Sequence, residues 1–398
     1  MKNIKHELLQ SADQCVKCGQ CLSVCPTYNL FQNEAESPRG RITLIQGLLS
    51  GQLDSSDKTT LQHLDHCLYC GNCETACPSG VDYIDLLDRS KQLRPHKAIS
   101  RWQLDLLTNN QLFKPGKAAS KLLPDSLKKH VPTIFQQALR LSTPDAEAIT
   151  SHSRSSTPDK SRNRSRIGIF TGCIGRRVDS KAINLTMRLL EYCGFDVVVP
   201  KVQSCCGALY RHEGYLDKAE HLLDNNRSAF IDHDVDQILY FATGCASHLE
   251  QADFSMPLNE ATHFIASLEE VAQFRASIDH NIALHKPCSL ESSSEDWIIM
   301  RQLIQAIAGE HLVELPNNGS CCGSAGLHLL KYPQTARQLL EPKLQSLLEI
   351  APRLLLTANT GCALHFYNGI KENALDIEVM HPAEWVSRLF LQDKGIID

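Results

Sequence analysis

Eight of the chain's seventeen cysteines stand in two copies of one pattern, Cys15-x2-Cys18-x2-Cys21-x3-Cys25-Pro26 and Cys67-x2-Cys70-x2-Cys73-x3-Cys77-Pro78. This pattern restricts the fold severely, because a [4Fe–4S] cluster needs four thiolates converging on one point. Three sulfurs spaced two residues apart can wrap one cluster within a short turn. The fourth, followed by proline, ligates the other cluster in two-cluster proteins. The expected pairing is therefore Cys15, Cys18, Cys21 and Cys77 on one cluster, and Cys67, Cys70, Cys73 and Cys25 on the second. Zinc knuckles would leave the fourth cysteine and its proline without purpose, and disulfides require an oxidising compartment.

At 398 residues the chain is too long for one small cluster-binding domain and calls for two or three domains. A net charge of −5 argues against a nucleic-acid partner, which usually meets a basic face. The stretch Met1–Gln14 contains no apolar secretory region, and nowhere do eighteen apolar residues run together. Seventeen cysteines without export imply a reducing cytoplasm and thiolates used for metal or redox chemistry. Membrane contact is expected to be peripheral, at the inner face.

Residues 1–95 hold both cluster motifs. The 41 residues between Cys25 and Cys67 are too many for a compact β-rich hairpin repeat. Ile42, Ile45 and Leu48-Leu49, then Ile84 and Leu87, fall at helical spacing, which predicts a helix over Arg41–Leu49 and an α-helical ferredoxin domain. Residues 96–166 read as a helical connector broken by Pro115, Pro124, Pro132 and Pro144, ending in the polar, basic linker Ser151–Arg166. No aromatic residue interleaves with those arginines, which disfavours a nucleic-acid arm.

From Ile167 an internal repeat appears, giving domains at 167–275 and 276–398. Each copy reads as a βαβαβ unit with a parallel sheet. Strands are expected at Ile167–Phe170, Phe195–Val199 and Ile238–Ala242, and again at Ile282–His285, His311–Leu315 and Leu354–Ala358. Cys173 and Cys288, Cys205 and Cys321, and Cys245 and Cys362 are offset by 115, 116 and 117 residues. In both copies the cysteines follow the carboxyl ends of strands, where open α/β sheets assemble their sites. Cys173, Cys205, Cys206 and Cys245 are expected to converge, as are Cys288, Cys321, Cys322 and Cys362. Adjacent cysteines suit an iron–sulfur assembly better than one tetrahedral zinc, and Gly207 and Gly323 allow a tight turn after each pair. Redox-active thiol pairs are the alternative. His212 and His328 recur six residues after each pair, and His248 and His365 three after Cys245 and Cys362. They are candidates to bind or support the metal, or simply polar first turns of helices. Cys193 has no repeat partner and reads as a core residue. No G-x-G-x-x-G follows a strand, so no nicotinamide or flavin site is legible.

The texts CVKCGQCLSVCPTYNL, SPRGRITLI and HLDHCLYCGNCETACPSGVDYIDLLD together resemble the iron–sulfur subunits of glycolate oxidase. The two repeats look like the cysteine-rich CCG domains shared with heterodisulfide reductase subunits and the anaerobic glycerol-3-phosphate dehydrogenase small subunit. The resemblance spans Asp13 to about Pro382. It implies an electron-transfer subunit that takes electrons from FAD-linked oxidase subunits and passes them to a membrane quinone-type acceptor. The eight N-terminal cysteines would be cluster ligands and the CCG cysteines further metal ligands. In one respect the chain departs from the fuller CCG pattern: the final C-x2-C cysteine is replaced by His248 and His365. This disfavours a five-cysteine, heterodisulfide-reductase-type cluster. The alternatives are a thiol/disulfide catalytic subunit, or electron transfer for a glycerol-3-phosphate or lactate dehydrogenase.

Overall fold

The computed structural model describes residues 2–95, 97–109, 132–144, 147–149, 165–291 and 294–398. Almost all of the basic linker, and Pro115 and Pro124 of the connector, lie outside the described residues. The chain divides into two units. One is helical and comprises Met1–Ala138, Gly207–Glu220 and Ser320–Leu339. The other holds both sheets and comprises Leu139–Cys206, His221–Gly319 and Leu340–Asp398.

In the helical unit, α1 (Lys2–Asp13), α2 (Gln20–Ser23), α3 (Pro26–Phe31), α4 (Pro38–Ser50), α5 (Lys58–Asp65), α6 (Asn72–Thr75) and α7 (Tyr83–Gln92) follow one another. Helix α4 starts three residues before the position its apolar spacing predicts. Ser37 caps it by accepting a hydrogen bond from the Gly40 amide at 2.9 Å, and Pro38 needs no amide partner in the first turn. Leu8, Ile42, Ile45, Leu64, Leu86 and Leu87 form the core between these helices, with Cys15, Cys67, Cys73 and Cys77 packed into it.

Buried charges hold the two returning segments within this unit. Asp88 accepts from Arg211 at 2.9 Å and lies 3.3 Å from His212, whose ring stacks on Tyr69 at 3.8 Å. Asp65 is 3.1 Å from Lys91, 2.7 Å from Arg94 and 3.6 Å from Lys331, which also meets Glu213 at 3.0 Å. Burial opposes ionisation of Asp65, but Lys91, Lys331 and Arg94 outweigh it and hold the carboxyl well below the usual range.

The second unit contains two parallel sheets, as the repeat implies. The first is formed by β1 (Arg166–Phe170), β2 (Asp196–Val198), β3 (Gln237–Tyr240) and β4 (Leu258–Glu260) in the order β2-β1-β3-β4. The second, from β5 (Ile282–His285), β6 (Leu312–Glu314), β7 (Leu354–Thr357) and β8 (Glu378–Met380), runs β6-β5-β7-β8. Ile167 pairs with Val197 and Gln237, and Ile282 with Leu312 and Leu354. The fourth strand of each sheet is absent from the sequence reading. β4 and β8 are three-residue edge strands whose polar residues Asn259, Glu260 and Glu378 interrupt any apolar run, each with two incompletely buried residues. One apolar cluster draws Ile167, Ile169 and Leu239 from the first sheet and Ile282, Leu284 and Leu356 from the second. Cys193 packs against it, as expected of a core residue.

Candidate metal centres

The two N-terminal motifs fold as copies of one loop. Lys17 and Tyr69, each just before the second cysteine, are left-handed at φ 57° and 52°, and Gly19 and Gly71, just after it, at 87° and 74°. A glycine there permits a reversal that a side chain would strain. One-turn helices α2 and α6 then carry Cys21 and Cys73. Cys25 caps α3 with Pro26 at its first position, the helical exit that the Cys-Pro pair implies.

Two cavities result. The first is lined by Cys15, Cys18, Cys21 and Cys77 together with apolar Ile42 and Val81. The second is lined by Cys25, Cys67, Cys70 and Cys73. Each thus has three cysteines of one motif and the last cysteine of the other, and Cys73 also reaches the wall of the first. Pro38, Cys73 and Tyr83 line both cavities and form a shared wall one side chain thick. Burial pushes the Cys67 thiol up despite the opposing Arg41 charge, and burial with Cys67 and Cys70 pushes the Cys73 thiol up as well. Such thiols resist ionisation until a cation reverses the balance. The Tyr83 hydroxyl is buried with no nitrogen or oxygen partner among the described residues, and its neighbour is the Cys67 sulfur. Four converging sulfurs, apolar walls and a hydroxyl placed against sulfur fit an iron–sulfur cluster.

In the sheet unit, Cys173 follows β1, Cys205 and Cys206 follow β2, and Cys245 lies on the helix after β3. Cys173 Sγ and Cys205 Sγ are 3.5 Å apart, Cys205 and Cys206 are hydrogen-bonded, and Cys206 is hydrogen-bonded to Cys245. Those thiol contacts, then burial, raise Cys205 and Cys245 well above the ordinary thiol range. Arg176 and Arg177 lie close enough to Cys173 to feel its charge. In the second repeat Cys288 and Cys362 belong to the sheet unit, while Cys321 and Cys322 are buried in the helical unit. Cys321 Sγ accepts from the Gly323 amide at 3.4 Å. Gly207 and Gly323 are left-handed, at φ 96° and 90°.

The recurring histidines separate into different roles. His248 Nδ1 donates to the Cys206 carbonyl at 2.7 Å, and His328 Nδ1 to the Gly323 carbonyl at 3.2 Å. A carbonyl only accepts, so both Nδ1 atoms carry the proton and brace loops bearing the cysteine pairs. His212 instead stacks on Tyr69, and His365 is buried. The sequence reading missed Glu36, Arg41 and His63 beside the second cavity. The only sequence signal was a charged residue, Arg41, directly before the apolar stripe of α4.

A 4Fe-4S dicluster domain model matches residues 11–81, and a cysteine-rich domain model matches residues 167–250 and 282–367. The chain is 28% identical to the probable glycolate oxidase iron-sulfur subunit of Bacillus subtilis (strain 168), covering 96% of both chains. It is 29% identical to the glycolate oxidase iron-sulfur subunit of Escherichia coli (strain K12), covering 88% of both. It is also 23% identical to one component of the dihydromethanophenazine:CoB–CoM heterodisulfide reductase of Methanosarcina acetivorans, covering 95% of this chain and 94% of that one.

Proposed function

We propose that this chain, one of the iron–sulfur proteins that join a 4Fe-4S dicluster domain to two cysteine-rich domains, is the electron-transfer subunit of a flavin-dependent glycolate dehydrogenase. The observation that carries this reading is the pair of adjacent cavities, each lined by cysteines drawn from both motifs. Cys15, Cys18, Cys21 and Cys77 would hold one [4Fe–4S] cluster, and Cys67, Cys70, Cys73 and Cys25 the other. A bound [4Fe–4S] cluster accepts and releases one electron at a time, which divides the two-electron reduction of a flavin. The chain's own residues position and insulate these centres. Ile42 and Val81 give the first cavity an apolar lining, and the Pro38–Cys73–Tyr83 wall keeps the two close without letting them merge. Cys173, Cys205, Cys206 and Cys245, and Cys288, Cys321, Cys322 and Cys362 in the second repeat, are assigned as further metal ligands. Substrate oxidation belongs to FAD-linked partner subunits and final delivery to a quinone-type acceptor at the inner face of the cell membrane. Among the described residues no helix is long and apolar enough to cross a membrane, so docking there would be peripheral.

The isolated chain should leave glycolate and lactate untouched. With its flavoprotein partners it should restore substrate-dependent reduction of a quinone or dye. Cys70→Ser should abolish that reduction while substrate still bleaches the partner flavin. Turnover of glycolate by the flavin-free chain would overturn the assignment. A second reading, disulfide reduction, draws on the hydrogen-bonded string Cys173–Cys205–Cys206–Cys245. Cleavage of a disulfide by the purified chain with a low-potential donor would favour it.

A further inference from the structure

The two cavities differ in the charge set beside them. Arg41 is 1% exposed and lines the cavity of Cys25, Cys67, Cys70 and Cys73. Its Nη2 donates to Glu36 Oε2 at 2.7 Å and to Thr27 Oγ1 at 3.0 Å, and its Nε to the His63 carbonyl at 2.7 Å. The Thr27 hydroxyl lies 3.3 Å from Cys25 Sγ. Glu36 is not among the lining residues, and its Oε1 accepts from His63 Nδ1 at 2.6 Å and His66 Nδ1 at 2.8 Å. Glu36, His63 and His66 are close enough together to hold a metal ion. Hydrogen bonds at these distances, with Arg41 on the second carboxylate oxygen, account for the cluster without one.

The order towards the cavity is thus carboxylate, guanidinium, hydroxyl, sulfur. The cation stands between its counter-ion and the thiols, in a region closed to water, where charges act far more strongly than at a surface. At the other cavity the cations are Lys17 and Arg39. Arg39 is partly exposed and held by Glu34 at 2.7 and 3.3 Å, so its field is screened by solvent as well as by its partner. Glu74, the ionisable group against Cys73, acts on a thiol that lines both cavities and does not distinguish them.

We propose that Arg41 sets the order of the two centres. Its buried guanidinium stabilises the negative charge added on reduction at the Cys25/Cys67/Cys70/Cys73 site. That makes this site the one of higher potential, where an electron comes to rest, and leaves the Cys15/Cys18/Cys21/Cys77 site the lower. The inference rests on reading both cavities as cluster sites.

The test is a paramagnetic-resonance redox titration of the iron-loaded full chain, with signals assigned by Cys18→Ser and Cys70→Ser. Arg41→Gln should lower the midpoint of the Cys70-linked signal, and Glu36→Gln, which removes the counter-charge, should raise it. Arg41→Lys should shift it less than Arg41→Gln, since the charge is kept while the forked geometry is lost. The Cys18-linked midpoint should stay in place throughout. Opposite shifts from two neighbouring substitutions cannot come from general loosening. Unchanged midpoints in both Gln variants, or equal shifts of both signals, would overturn the proposal. Should Arg41→Gln fail to fold, the absence of a rise in Glu36→Gln would overturn it alone. A chain without any cluster signal would defeat the iron–sulfur reading itself, a different result from two signals with unmoved midpoints.

Discussion

A single sulfur decides which cluster a cysteine serves, and here sequence neighbours are assigned to different cavities. Cys77 lines the cavity of Cys15, Cys18 and Cys21, and Cys25 lines that of Cys67, Cys70 and Cys73. Cys77→Ser should therefore disturb the same paramagnetic signal as Cys18→Ser, and Cys25→Ser the same one as Cys70→Ser. If each substitution tracked its own motif instead, the crossed assignment would fail. The eight cysteines stand out in the sequence because their spacing limits where their sulfurs can reach. Arg41, Glu36 and His63 do not, because a buried charge is recognisable only when its partners are known. Those partners, from residue 27 to residue 66, come together through tertiary packing.

At the scale of elements, two helix starts carry protons into the sheet unit. Asp179 precedes the helix Ser180–Tyr192 and accepts a hydrogen bond from Thr360, and burial raises its pKa to about 7. Glu260, at the end of β4, caps the helix Ala261–Ala266, and burial raises it to about 8. In the unfolded chain both ionise near pH 4, so between there and their folded values the native state binds more protons. Their contribution to stability is complete below about pH 4 and is lost as pH rises through about 7 and 8, at up to about 1.4 kcal/mol per pH unit for each group. Urea unfolding followed by fluorescence of the buried Trp297 and Trp385 should show this fall. Asp179→Asn should flatten the part below about pH 7. An unaltered slope in that variant would remove Asp179 from the account. Element legibility followed apolar content rather than length. β2 and β6 are three residues long but lie within the readable stretches Phe195–Val199 and His311–Leu315, whereas β4, with Asn259 and Glu260, and β8, with Glu378, form because β3 and β7 offer an edge to pair with.

For the whole molecule, the two units draw on different sources of stability. In the helical unit Cys15, Cys67, Cys73 and Cys77 pack into the core, so metal held there would be part of folding. The sheet unit has a continuous apolar cluster running through both sheets. Anaerobic removal of iron should melt helical signal and open the helical unit to protease, while Trp297 and Trp385 keep their buried fluorescence. Simultaneous loss of both signatures would show that the sheets depend on iron as well. The order of architectures along the chain was legible from the repeat. That Gly207–Glu220 and Ser320–Leu339 join the helical unit was not, since no local pattern marks a segment that leaves its own repeat.

That return of distant segments bears on how a ribosome delivers this protein. Asp88 is translated early, but its partner Arg211 appears only after β1 and β2 have been made, and Lys331, the third cation on Asp65, only after β6. Until Arg211 arrives, Asp88 is a carboxylate whose burial would be costly. The helical unit is begun first and its chain is complete only once Ser320–Leu339 has been made. Iron delivered during synthesis would therefore meet a nascent chain whose thiol loops exist before its electrostatic clamps do.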